Sequence, residues 1–233
     1  MRISEIYRSD QGEGALTGTP SIFVRTSGCN LRCGFCDTPF ASWEPEGPSL
    51  TIDEIMQQVL ELASADAKLK HVVITGGEPM LPVEIVALCQ KLKQHHFHIT
   101  IETAGTVDRE IACDLMSVSP KMSNSTPEVS RAGQWTEKHE RARRRPDVVA
   151  ALIGRSDYQV KFVVKTPDDL PEILEFLKDV PAIKNEKVLL MPEGVSTDSL
   201  LAKVDWLEEI CQRHGFKLCQ RQHIFWYGNQ RGT

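Results

Sequence analysis

Ser21-Ile22-Phe23-Val24-Arg25-Thr26-Ser27-Gly28-Cys29-Asn30-Leu31-Arg32-Cys33-Gly34-Phe35-Cys36 is the stretch on which the fold turns. Its first part reads as a short, largely buried strand, Ser21–Thr26. Three cysteines follow at the spacing Cys-x3-Cys-x2-Cys. Thiolates hold iron–sulfur clusters, and a cubane has four irons. Three protein ligands leave one iron open, and an open position is what a catalytic metal keeps, whereas a closed structural site uses all its positions. Zinc would want a fourth ligand, and the next histidine along is His71. Because the triplet directly follows a strand, it belongs at the C-terminal end of a sheet.

The same strand-then-turn rhythm continues outward. Ser21–Thr26, His71–Thr75, His98–Glu102, Leu115–Ser119, Tyr158–Val164 and Lys187–Met191 are rich in Val and Ile and end at turn or polar residues. That is the pattern of parallel strands covered on both faces. Helical patterns lie between them. Thr51-Ile52-Asp53-Glu54 is a capping box followed by Ile55, Val59 and Leu62 at helical spacing. Pro82–Gln94 carries Ile85, Leu88, Cys89 and Leu92, Thr166-Pro167-Asp168-Asp169 opens a helix, and Leu200 to Cys211 form one apolar stripe. Alternating strands and helices predict an α/β fold with a parallel sheet and helices outside. Six units make a partial (β/α)6 barrel, two short of closure, with its site at the C-terminal strand ends. The chain is expected to form one core domain, residues 1–233, with an insertion at about 123–157 that breaks the rhythm.

With 233 residues, 41% of them hydrophobic, the chain is long enough to bury a core without disulfides. Its net charge of −5 argues against a nucleic-acid-coating protein. No apolar run approaches the roughly 20 residues of a membrane span, and Met1-Arg2-Ile3-Ser4-Glu5 has no apolar targeting segment. A cytoplasmic protein is therefore expected. In a reducing compartment the clustered cysteines speak for metal. Cys89, Cys113, Cys211 and Cys219 sit in apolar patterns and are expected to be buried structural residues. The basic run Lys138–Arg145 inside the insertion is expected to be a solvated face.

Ile74-Thr75-Gly76-Gly77-Glu78-Pro79 follows the second strand. Two glycines let a backbone approach a ligand closely; alone they would be an ordinary strand-to-helix turn. With the triplet, and with Phe35 just before its third cysteine, this segment resembles the radical S-adenosylmethionine superfamily, in which a Gly-Gly-Glu-Pro motif binds the methionine amino group. Four further segments are similar to the 7-carboxy-7-deazaguanine synthase family: Asp10-Gln11-Gly12-Glu13-Gly14, Phe23–Gly28, Cys36-Asp37-Thr38 and Val118-Ser119-Pro120-Lys121. The tail Trp226–Gly232 resembles the end of some members.

The resemblance implies a 4Fe–4S cluster on Cys29, Cys33 and Cys36, and S-adenosylmethionine bound by Gly77, Glu78, Glu102, Ser119, Pro120, Lys121, Gln159 and Lys161. It implies Mg²⁺ at Thr38, and a pterin substrate, 6-carboxy-5,6,7,8-tetrahydropterin, met by Asp10, Gln11, Gly12, Glu13, Arg25 and Thr75. A 5′-deoxyadenosyl radical would take hydrogen from C6 of the substrate, whose ring then contracts with loss of ammonia, as in queuosine and deazapurine biosynthesis. An electron donor such as flavodoxin and a homodimer are implied too, with no nucleic acid or membrane partner. Two rivals stand beside this: an activase that makes a glycyl radical on a partner protein, and a non-enzymatic zinc module. In the tail, Phe225, Trp226 and Tyr227 are expected to anchor the chain over the barrel mouth, with Gly228 and Gly232 turning it inward. The carboxylate of Thr233 would then meet the amino-pyrimidinone edge of the pterin.

Overall fold

A computed structural model describes residues 1–233. Eight strands form one sheet in chain order: β1 (Ile3–Asp10), β2 (Pro20–Thr26), β3 (His71–Gly76), β4 (His98–Thr103), β5 (Leu115–Val118), β6 (Asp157–Val164), β7 (Val188–Pro192) and β8 (Lys217–Leu218). β1 runs antiparallel to β2, and every later pair is parallel. The sheet is open, so the architecture is a partial barrel. β2–β7 are the six predicted strands, each within about two residues of its expected ends. β1 and β8 are additions. β1 carries Glu5, Tyr7 and Arg8 among its apolar residues and is mostly half-buried, so it lacks the apolar run of a central strand.

Burial explains the central strands. Val72, Val73 and Ile74 of β3 are fully buried. Each stabilises by about 1.5–3 kcal/mol, against roughly 1–2 kcal/mol for fixing its backbone. Nine helices lie between the strands, α1 (Pro39–Ser42), α2 (Ile52–Ala65), α3 (Ile85–Gln94), α4 (Val129–Ala132), α5 (Trp135–Arg143), α6 (Pro146–Ile153), α7 (Leu170–Asp179), α8 (Thr197–Leu201) and α9 (Val204–His214), and α10 (Gln222–Tyr227) follows the last. The predicted capping box opens α2: Thr51 Oγ1 accepts from Glu54 N, and Glu54 accepts from Thr51 N at 2.7 Å. Ile55 and Val59 then pack inward. The Leu200–Cys211 stripe is divided between α8 and α9, because the chain turns at Ala202-Lys203, where Lys203 Nζ donates to the Glu193 carbonyl. No helix is long and apolar enough to cross a membrane.

Two expectations need correction here. Cys89, Cys211 and Cys219 are buried, but Cys113 is only half-buried and its thiol donates to Ser156 Oγ at 3.3 Å. The basic run is not uniformly solvated. His139 and Arg143 face inward, with Arg143 bridging Glu140 and Glu172 at 2.9 and 2.8 Å.

Candidate active site

A cavity of about 370 Å³ opens at the C-terminal rim of the sheet, and all three thiols of the triplet line it. Burial pushes the Cys29 thiol up to about 12, helped by Glu78, and burial likewise pushes Cys33 up to about 12. These two thiols are therefore protonated near neutral pH, and binding iron must release their protons. No three His, Cys, Asp or Glu side chains come close enough to share one ion. A cubane offers each thiolate a different iron, so its ligands stand further apart than those of a single ion. Three soft thiolates on one cavity wall therefore suit a cluster better than structural zinc.

The loop bearing the triplet is held from two sides. From within the sheet, Glu78 N donates to Gly28 O at 2.8 Å. A β-carbon on Gly77 would stand 2.1 Å from Gly28 O and 2.5 Å from Ala41 O. Glycine is thus required for this loop to lie against its neighbour. From outside, residues 123–143 clamp it. Gly34 N donates to Ser125 O at 2.8 Å, and Arg32 N donates to His139 Nδ1 at 3.1 Å. His139 is fully buried, and its Nε2 lies 2.9 Å from Ser125 Oγ. Since Nδ1 accepts, Nε2 carries the proton, and Ser125 Oγ passes its own to Met122 O at 2.6 Å. Burial holds His139 down near 4, so it stays neutral.

Sixteen of the predicted residues share the cavity wall: Asp10, Gln11, Gly12, Glu13, Arg25, Cys29, Cys33, Cys36, Thr38, Thr75, Gly77, Glu102, Ser119, Lys121, Lys161 and Thr233. Glu78, Pro120 and Gln159 stand behind it. Glu78 is fully buried and accepts from Thr103 Oγ1 at 2.7 Å, Ala104 N at 2.9 Å and Met80 N at 3.1 Å. Pro120 is buried in the turn after β5. Gln159 accepts from Ala15 N and donates to Ser117 Oγ, both at 2.8 Å.

Several residues in the wall are already engaged. Arg25 donates to Glu5 Oε1 at 2.6 Å and to the Tyr7 hydroxyl at 2.8 Å, across the β1–β2 pair. Its remaining nitrogen, Nη1, has no partner within the protein. Lys161 ion-pairs with Glu13. The space beside Gly12 is filled by the His223 ring, which an added β-carbon would meet at 2.3 Å. Lys121 Nζ donates to Ser119 O and Oγ at 2.7 and 2.8 Å. Thr38 precedes α1, yet its side chain makes no capping bond.

Sequence reasoning missed Glu5, Asp37, Arg221, His223 and Arg231, all in the cavity wall. Arg221 is the hub: Nε donates to Glu13 at 3.0 Å, Nη1 to Gly194 O at 2.6 Å, and Nη2 pairs with Asp37. Burial alone would raise Glu13, but Lys161, Arg221 and His223 hold its carboxyl well below the usual range. Asp37 and Arg231 lay inside the segments Cys36-Asp37-Thr38 and Trp226–Gly232, and for Glu5 the available signal was alternation along β1, which puts Glu5 and Tyr7 on one face.

The tail reaches the cavity, but not through its aromatics. Trp226 and Tyr227 are exposed, Phe225 is half-buried, none of the three lines the cavity, and Ile224 is the buried contact. Arg231 pins the end instead. It donates to Glu5 at 2.8 Å, pairs with Glu46 and lies 4.1 Å over the Phe40 ring.

A model of the Radical SAM superfamily matches residues 23–124. A 7-carboxy-7-deazaguanine synthase of Rhodopirellula baltica is 47% identical over 234 residues, covering 100% of this chain and 89% of its own. The chain belongs to the 7-carboxy-7-deazaguanine synthase family. A member from Halobacterium salinarum is 42% identical across 96% of the chain and 89% of its own. The crystal structure of QueE from Escherichia coli shares the fold, with a TM-score of 0.65 at 24% identity over 95% of this chain and 94% of that one. As a member of this family the chain is a radical S-adenosylmethionine enzyme, and neither an activase nor a zinc module is what its relatives are. Membership implies a 4Fe–4S cluster and S-adenosylmethionine.

Proposed function

We propose that the enzyme converts 6-carboxy-5,6,7,8-tetrahydropterin to 7-carboxy-7-deazaguanine with loss of ammonia. The observation that carries this is one cavity walled by the Cys29, Cys33 and Cys36 thiols together with Gln11, Glu13, Arg25 and the C-terminal tail. Cys29, Cys33 and Cys36 would hold the cluster, and Gly77, Glu102, Ser119 and Lys121 would border S-adenosylmethionine. When bound, these two groups supply the radical that abstracts hydrogen from the substrate.

The protein's own residues bind and orient. Gln11 Nε2 is committed to Ser21 Oγ at 2.9 Å, which leaves its Oε1 as an acceptor for pterin N–H groups. Glu13, kept ionised by Lys161 and Arg221, offers a second acceptor. Arg25 Nη1 would take the substrate carboxylate as a charge-assisted bond. The Thr38 hydroxyl, which makes no capping bond and lies 3.8 Å from Cys36 Sγ, would serve Mg²⁺, which favours hard oxygen ligands and keeps waters. The Thr233 carboxylate would close the pterin edge. Glu78 and Gln159 act from behind the wall, the first by fixing the Gly-Gly loop, the second by fixing Ala15 beside Glu13. The reading includes an electron donor such as flavodoxin, a homodimer and a cytoplasmic location.

The test is substrate deuterated at C6, incubated anaerobically with reconstituted enzyme, S-adenosylmethionine and a chemical reductant. Deuterium should appear in 5′-deoxyadenosine. Unlabelled 5′-deoxyadenosine at the full turnover rate would overturn the assignment.

A further inference from the structure

After Gly228, whose N–H closes α10 on Ile224 O at 3.0 Å, the tail makes no backbone–backbone hydrogen bond. The Thr233 hydroxyl only turns back on Gln230 O. One side chain, Arg231, therefore carries the polar anchoring of residues 229–233. Its Nε donates to Glu5 Oε2 at 2.8 Å, Nη1 pairs with Glu46, and Nη2 reaches the Ser4 hydroxyl at 3.4 Å. Glu46 is 46% exposed, so water screens that pair, whereas the Glu5 side chain is 13% exposed. Glu5 is the stronger half of the pin.

The same carboxylate holds Arg25. Glu5 Oε1 accepts from Arg25 Nε at 2.6 Å, and no other carboxylate lies within ion-pair distance of that guanidinium. Arg25 Nη2 donates to the Tyr7 hydroxyl, which burial keeps neutral, so Tyr7 adds no charge. One largely buried negative charge thus answers two positive ones, the first on β2 and the second on the tail. A ligand carboxylate on Arg25 Nη1 would supply the missing charge and leave Glu5 more fully to Arg231. Carboxylate binding and tail docking then favour each other, equally in both directions. The strands themselves do not need this side chain, because the β1–β2 ladder pairs their backbones from Ile3 to Asp10.

We propose that Glu5 is a positioning residue that joins capture of the substrate carboxylate at Arg25 to docking of the C-terminal tail over the cavity. It acts through the two arginines, and all three side chains stand in the cavity wall. The proposal rests on the function proposed above, in which the pterin carboxylate meets Arg25.

The test uses reconstituted enzyme with S-adenosylmethionine and no reductant, so that 6-carboxy-5,6,7,8-tetrahydropterin binds without turnover. Calorimetry compares wild type, Glu5→Gln, Arg231→Gln and the double variant. All should keep wild-type iron content and affinity for S-adenosylmethionine. Each single change should weaken the pterin by about five- to tenfold, and the double variant should lose little more than Glu5→Gln. Independent effects would multiply to roughly 25- to 100-fold, and that result would overturn the proposal. In turnover, KM should rise with kcat nearly unchanged; a fall in kcat alone would contradict a positioning role. Without any pterin, carboxypeptidase Y should release Thr233 from Glu5→Gln about fivefold faster than from wild type, and from Tyr7→Phe at the wild-type rate. Equal release from all three would show that Glu5 does not pin the tail, and fast release from Tyr7→Phe would mean a general loosening of β1. In wild type alone, the saturating carboxylated pterin should slow Thr233 release more than saturating tetrahydropterin without the carboxylate; equal protection would deny the link to Arg25. Wild-type enzyme that does not bind the carboxylated pterin would fail the function proposed above, and the pterin-free release rates then test the Glu5 joint by themselves.

Discussion

Replacing Arg221 by Leu removes the one side chain that joins the Gln11–Glu13 loop to the residue after the last cluster cysteine. Its guanidinium is 7% exposed and Glu13 16%, so solvent screens their pair little. Asp37, at 38%, is screened and is left out of the estimate. Breaking a buried pair from one side costs about 3–5 kcal/mol. Lys161 still neutralises Glu13 from the other side, so the low end, about 3 kcal/mol, applies. For a chain of this size each kcal/mol lowers Tm by roughly 2–4 °C, which gives a fall of about 6–12 °C. Arg221→Lys keeps a charge near Glu13 but cannot also reach Asp37 and Gly194 O, and should recover about half. Thermal unfolding of the iron-free proteins measures this, with substrate affinity as a second readout. An Arg221→Leu protein melting within about 2 °C of wild type would show that the hub does not hold the wall together.

Glu13 is held below its ordinary range, whereas in the unfolded chain it titrates near about 4.3. Its contribution is therefore whole above that pH and is lost as pH falls toward its folded value. Below about pH 4.5 wild type should lose stability more steeply than Glu13→Gln; parallel stability curves would refute the pairing. Gly77→Ala forces a β-carbon into the Gly28 and Ala41 carbonyls, and should lower both Tm and iron retention; normal iron loading would contradict the packing. His139→Asn, whose amide oxygen can accept from Arg32 N, should keep iron better than His139→Leu, which strands a buried N–H at about 1–3 kcal/mol; equal iron retention would deny His139 its part in holding the loop. Deleting Arg231–Thr233 removes a half-exposed arginine whose largely buried partner Glu5 keeps its pair with Arg25, so Tm should stay within about 2 °C while substrate binding weakens; unchanged affinity would remove Thr233 from the site.

The central strands were legible because Val72, Val73, Ile99, Ile101, Val160 and Phe162 are buried, and such runs leave a period in the sequence. β1 was not, because Glu5 and Tyr7 turn polar groups into the cavity and erase the apolar signature. The cysteine triplet and the Gly-Gly turn were legible because their chemistry depends on close spacing. The pairs around Glu13 were not: Lys161 and Arg221 lie 148 and 208 residues away in sequence, and nothing local links them. The tail misled through its aromatics, since exposure of Trp226 and Tyr227 depends on where α10 docks. Its true pin, Arg231, is an ordinary arginine until Glu5 and Glu46 are brought beside it.

The most direct measurement is mass spectrometry of the small molecules after anaerobic turnover. Reconstituted enzyme, S-adenosylmethionine, Mg²⁺, reductant and 6-carboxy-5,6,7,8-tetrahydropterin should yield 7-carboxy-7-deazaguanine and ammonia in equal amounts, and any of Cys29→Ala, Cys33→Ala or Cys36→Ala should abolish both. An enzyme that holds its cluster and cleaves S-adenosylmethionine, yet returns the pterin unchanged, would contradict the proposed function.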